Sequence, residues 1–132
     1  MVISDEIRKY IENARVAFVA STDEAGAPHL AAGVDLKVQD ERTLLFENWF
    51  CTTTLRNVAL NPRVAVAVTD PDGGRGYQLT GVVRRSIDEA VMNGFAPGAE
   101  MPGTPQILVR MVVEVDRVMD FSAGAHTDQP LR

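Results

Sequence analysis

The alternation of apolar and polar residues changes period several times along the 132 residues. Ile3, Ile7, Tyr10, Ile11 and Ala14 recur at helical spacing, with Ser4 placed to cap and Asp5 and Glu6 in the first turn; this predicts a helix over 3–14. The period then drops to two. Residues 16–22 read as a strand, Asp23-Glu24-Ala25-Gly26 as a hairpin turn, 28–38 as a second, longer strand and 43–48 as a third. Helical spacing returns with Leu55, Val58 and Ala59, and Pro62 ends that helix near Leu60. A fourth strand is expected over 63–69, where Val64, Val66 and Val68 alternate with Ala65 and Ala67. After the turn signal from Asp70 to Gly74 come a fifth strand over 76–85 and a short helix over 86–95. A Pro- and Gly-rich loop over 96–105 then leads to a sixth strand over 106–119, with Ile107, Val109, Met111, Val113 and Val115 on one face. Six strands joined mostly by tight turns argue for one domain, residues 1–132, built as a small mainly-β antiparallel barrel. The turns between the first three strands are too short for parallel crossovers.

Two stretches carry candidate chemistry. In the second strand, Leu30, Ala32, Val34, Leu36 and Val38 share one apolar face, while His29, Ala31, Gly33, Asp35 and Lys37 share the other. Ala31 and Gly33 leave the backbone nearly bare, so a flat ring can lie against it; close packing of a helix or a second subunit explains the same pattern. The second stretch is the junction Glu47-Asn48-Trp49-Phe50-Cys51 followed by Thr52, Thr53 and Thr54. A helix N-terminus offers unpaired N–H groups and partial positive charge. One threonine suffices to cap the helix. Three hydroxyls, with Arg56 and Asn57 one turn in, suit a phosphate, and aromatics at the same junction suit a nucleotide-like cofactor.

Composition narrows the partners. Eighteen acidic against thirteen basic residues give a net charge of −5, which argues against nucleic acid as the main partner. Only two of the basic residues, Lys9 and Lys37, are lysines. Cys51 is the single cysteine, so an intrachain disulfide and a zinc finger are excluded. It reads as a small buried residue, or as a thiol activated at a helix N-terminus. No metal site is expected, because Cys51, His126 and Asp128 have no ligand spacing. Neither a Ser-His-Asp order nor a dinucleotide-binding glycine pattern is present. With no apolar run of membrane-span length and no signal-peptide layout in MVISDEIRKY, a cytoplasmic location is the expectation.

The order FVASTDEAGAPHLA, TTTLRNVALNPRVAVAV, GYQLTGVV resembles the FMN-binding split barrels, which include the pyridoxamine 5'-phosphate oxidase-like proteins and the small bacterial FMN-binding proteins. The likeness covers roughly residues 10–85, and pairs T-x-x-x-G-x-P-H at 22–29 with N-x-x-x-N-P-R-V at 57–64. It implies a split barrel of Greek-key type with short flanking helices, and a homodimer with FMN at the subunit interface. It also implies that Leu30, Ala31, Ala32, Gly33, Val34 and Asp35 line the ring and ribityl chain. Glu47, Asn48, Trp49, Phe50, Cys51, Thr52, Thr53 and Thr54 carry the ring edge and phosphate on this reading, with Arg56 and Asn57 behind them. Tyr77 and Gln78, and the tail around His126, are candidates to close the site from the partner. Relatives often place a lysine or arginine inside the phosphate segment; here the first basic residue is Arg56, and Arg85 or an arginine of the second copy can supply further charge. The function implied is that of a flavin-dependent oxidoreductase, with the flavin carrying hydride or electron transfer and no protein acid or base assigned. Oxidation of pyridoxamine 5'-phosphate itself is not implied, since nothing after residue 100 resembles the substrate-binding end of those enzymes. The rivals are a non-catalytic flavin electron-transfer module and a haem- or deazaflavin-binding protein on the same barrel.

Overall fold

The computed structural model describes residues 2–72, 74–88, 109–126 and 129–131, with residues 85–88 described as backbone only. Helix α1 (Asp5–Asn13) begins where Ser4 Oγ accepts the Ile7 N–H at 3.3 Å, and buries Ile7 and Ile11. Strands β1 (Ala17–Thr22) and β2 (Pro28–Gly33) form a hairpin, followed by β3 (Leu36–Asp40) and β4 (Thr43–Trp49). Helix α2 (Thr52–Leu60) leads to β5 (Arg63–Thr69), β6 (Gly76–Asp88) and β7 (Val109–Asp120). The β1–β2 turn closes as its sequence requires: Asp23 Oδ1 accepts the Ala25 and Ala27 N–H groups at 2.8 Å each, and Gly26 takes φ +85°.

All pairings are antiparallel, in one seven-stranded sheet of order β2-β1-β5-β6-β7-β4-β3. Strands β5, β6 and β7 are successive neighbours and β4 lies beside β7, a Greek-key arrangement. The sheet curls into a split half-barrel around Val19, Leu44, Phe46, Val66, Leu79 and Met111, all fully buried. Helix α1 covers β3, and α2 lies over β1 and the edge of β2. Among the described residues no helix is long and apolar enough to cross a membrane.

Two expectations change. The strand expected over 28–38 is two strands, which raises the count from six to seven among the described residues. Asp35 adopts φ +58°, a left-handed conformation that aspartate tolerates better than most residues. That single residue reverses the facing of the chain. His29, Ala31 and Gly33 are half-buried while Leu30, Ala32 and Val34 are exposed, yet Leu36 and Val38 lie in the core. The five apolar residues of 30–38 therefore do not share a face. Secondly, residues 86–88, expected to start a helix, extend β6, because β7 pairs with it as far as Asp88↔Val109. The rest of that expected helix, the 96–105 loop and Ile107 lie outside the described residues. The expected alternation in β7 holds from Val109 to Val115, and beyond it the buried position slips to Val118. The ladder steps from Gly81↔Val115 to Thr80↔Arg117, leaving Asp116 as an extra residue.

Candidate functional site

The first turn of α2 lacks a side-chain cap. Cys51, not a threonine, occupies the N-cap position (φ −75°, ψ 108°) and makes no cap hydrogen bond. Thr52, Thr53 and Thr54 are the first three helical residues, where backbone N–H groups have no intrahelical acceptor. Their surroundings differ. Thr52 is exposed, Thr53 half-buried, and Thr54 is 0% exposed with no hydrogen-bonding oxygen or nitrogen for its Oγ1. Arg56 follows Thr52 by four residues, so the two share an exposed helix face, and helical side chains lean toward the N-terminus. Arg56 enters no ion pair among the described residues. Asn57, expected beside Arg56 in the phosphate seat, points the other way: it is 5% exposed and its Nδ2 donates to Ser21 Oγ of β1 at 3.0 Å.

Burial pushes the Cys51 thiol up, but the Thr54 hydroxyl and the backbone N–H groups of Thr54 and Thr53 outweigh it, holding its pKa below the ordinary value. The neutral thiol needs none of these donors, whereas a thiolate or another anion at this turn would draw on them.

The junction before α2 meets the end of β2 across the split. Trp49 is 1% exposed, stacks edge-on against Phe46 with centroids 4.9 Å apart, and donates its Nε1–H to Cys51 O at 3.1 Å. A Cβ on Gly33 would stand 2.5 Å from Trp49 Cζ3, so only glycine permits this approach. The Trp49 side chain is thus core, and holds the N-cap of α2 in place rather than offering a surface. Phe50 is exposed, Cys51, Asn48 and Glu47 are half-buried, and Glu47 pairs with Arg110 at 3.6 Å. On the outer side of the sheet Leu30, Ala32 and Val34 join Val16 and Phe18 in an exposed apolar patch. In that patch Phe18 stands opposite both Ala32 and Ala67.

Tyr77 and Gln78 do not join this cluster within one chain; β6 is separated from β2 by β1 and β5. Tyr77 is buried and packs edge-on against Tyr10 at 5.1 Å, while its hydroxyl accepts from Arg75 at 3.3 Å. Gln78 lines an open cleft of about 330 Å³ with Met119, Asp120, Phe121, Ser122 and His126. The His126 ring Nδ1 lies 2.8 Å from Gly124 O. Reading the sequence alone missed Ser21 and Thr22, which receive hydrogen bonds from Asn57 and, at 2.9 Å, Asn61. The one signal was the pair of asparagines four apart, one inside α2 and one at its C-cap.

The residues present fit a phosphate-bearing cofactor: uncapped N–H groups, two accessible hydroxyls, a buried hydroxyl with no oxygen or nitrogen partner and an arginine in no ion pair among the described residues stand at one helix turn. Among solved structures, HupZ from Group A Streptococcus superposes with a TM-score of 0.69 at 21% identity, covering 96% of this chain and 99% of that one. A structure described as F420 reductase gives 0.64 at 22% identity, covering 84% and 94%. An FMN-binding protein from Syntrophomonas wolfei gives 0.65 at 13%, covering 89% and 85%. At these identities the likeness is one of fold. No curated protein matches the chain. The family model described as pyridoxamine 5'-phosphate oxidase matches residues 3–118. That match spans both helices and the split-barrel sheet to within two residues of its end, and on it the chain belongs to the pyridoxamine 5'-phosphate oxidase family.

Proposed function

We propose that the chain binds FMN non-covalently, as a homodimer with the cofactor at the subunit interface, and serves as a flavin-dependent oxidoreductase. The observation that carries this reading is the first turn of α2, where Thr52, Thr53 and the uncapped N–H groups form a seat with Arg56 on the same face. Thr52 and Thr53 would hold the phosphate with the backbone N–H groups, and Arg56 would supply its charge. The β2 segment from Leu30 to Asp35, with Phe50 and Asn48, would border the ribityl chain and ring. Bound FMN supplies hydride or electron transfer. The chain's own part is to fix the cofactor and shield it from water.

The dimer is supported by the apolar patch of Val16, Phe18, Leu30 and Val34, which a second copy would cover. It is also supported by the place of Gln78 on β6, which β1 and β5 separate from β2 within one chain. The test is the visible spectrum of purified protein before and after addition of excess FMN and desalting. Retained flavin bands are expected. A Soret band, or retention of a deazaflavin but not FMN, would replace the cofactor on the same barrel. A bound flavin that reacts quickly with a reduced carrier protein but with no small molecule would make the chain an electron-transfer module.

A further inference from the structure

Helix α2 is held to the barrel by polar bonds as well as by apolar contacts, with Val58 in the core and Leu55 packed against it. Nine residues are too few for a helix to stand alone in water, so its placement comes from tertiary contacts. Its buried residues are Thr54, Asn57 and Val58, of which only Val58 is apolar. By contrast α1 is anchored by Ile7 and Ile11. Three hydrogen bonds also fix α2: Trp49 Nε1 to Cys51 O at its start, Asn57 Nδ2 to Ser21 Oγ in its middle, and Asn61 Nδ2 to Thr22 Oγ1 at its end. Of these only the Ser21–Asn57 bond lies wholly in the interior, where Ser21 is 3% and Asn57 5% exposed. A buried carboxamide without a partner is strongly disfavoured, so this bond dictates the rotation of α2 about its axis. That rotation decides where Thr52, Thr53 and Arg56 point.

We infer that Ser21 and Asn57 are positioning residues for the phosphate seat: they touch no phosphate, and set its affinity by fixing α2 on β1. The inference rests on the FMN reading above, with the phosphate at the first turn of α2. It reassigns Asn57, whose amide is turned into the barrel, from contact to support.

The test compares FMN with riboflavin, which lacks only the phosphate. Affinities are measured by flavin fluorescence for the wild type, Ser21→Ala, Asn57→Ala and the double variant, with thermal midpoints alongside. The wild type should bind FMN more tightly than riboflavin. Ser21→Ala should weaken FMN about tenfold, the equivalent of one hydrogen bond, and leave riboflavin unchanged. Asn57→Ala and the double variant should lose no more than Ser21→Ala, because the two side chains act as one unit. Ser21→Cys, similar in volume with a weaker acceptor, reads the same FMN-to-riboflavin ratio if Ser21→Ala does not fold. Equal loss of both ligands would make the bond merely structural and overturn the inference. A large effect of Asn57→Ala beside none for Ser21→Ala would overturn it too, by making Asn57 a direct contact. A wild type that does not distinguish FMN from riboflavin would instead remove the phosphate seat on which the inference stands.

Discussion

Substituting Gly33 by alanine tests how the two ends of the split are joined. The added Cβ would stand 2.5 Å from Trp49 Cζ3 and 3.1 Å from Phe46 Cε1, both on buried rings. Neither ring has room to retreat, since they stack on each other and the indole is tied to Cys51 O at 3.1 Å. Overpacking of this kind costs about 1–3 kcal/mol. Swinging the indole away adds the lost hydrogen bond, about 0.5–1.5 kcal/mol. The alanine returns about 0.4–1 kcal/mol by restricting the unfolded chain. The net loss is about 2 kcal/mol, which at an m-value of about 1.5 kcal/mol/M moves the urea midpoint down by about 1.3 M. Trp49 is the only tryptophan, so its emission follows unfolding and reports its own displacement in the folded state. A midpoint within about 0.3 M of wild type, with unaltered emission, would refute the close approach of Gly33 to Trp49.

Other outcomes are expected on the same grounds. Iodoacetamide should alkylate Cys51 with a pH profile centred below the ordinary thiol range, because the Thr54 hydroxyl and the α2 N–H groups favour the thiolate despite burial. Stability from this group is present above the unfolded thiol pKa and lost as pH falls through the folded one; a profile at the ordinary value, by mass spectrometry, would contradict it. Leu30→Glu places a carboxylate in the exposed apolar patch and should turn a dimer into a folded monomer by light scattering; an unchanged dimer would move the interface elsewhere. Burial, with the Asp70 carboxylate, pushes the Tyr10 phenol up to about 12. Its folded pKa is raised, so its contribution is present below pH 10 and lost as pH rises through about 12; ultraviolet titration against Tyr10→Phe would show it.

Much of this was legible in the chain itself. The Ser4 cap, the Asp23–Gly26 turn, the valine alternation of β5 and the span of α2 all follow from local rules that tertiary structure had no reason to override. The break at Val34–Asp35 was not legible, because a left-handed aspartate leaves the apolar alternation from Leu30 to Val38 unbroken on paper. Nor was the end of β6: residues 86–88 suit a helix as well as a strand, and the ladder with β7 decides. At the site, the threonine cluster at a helix start could be read directly. What could not be read was the rotation of that helix, and so which of Arg56 and Asn57 faces out. Partners on β1, far away in sequence, set it, at separations of 36 and 39 residues.

The strand order also bears on how the chain assembles as it is made. The last strand, β7, lies between β6 and β4. Until it leaves the ribosome, the β3–β4 hairpin has no ladder joining it to the rest of the sheet, and the apolar face carrying Leu44 and Phe46 lacks Met111 and Val113 beside it. The β1–β2 hairpin, β5 and β6 can pair earlier, so the nascent protein would pass through a half-sheet with an open hydrophobic edge. A ribosome stalled before β7 emerges would therefore hold a chain prone to aggregation and dependent on chaperones, and completion of a single strand would end that exposure.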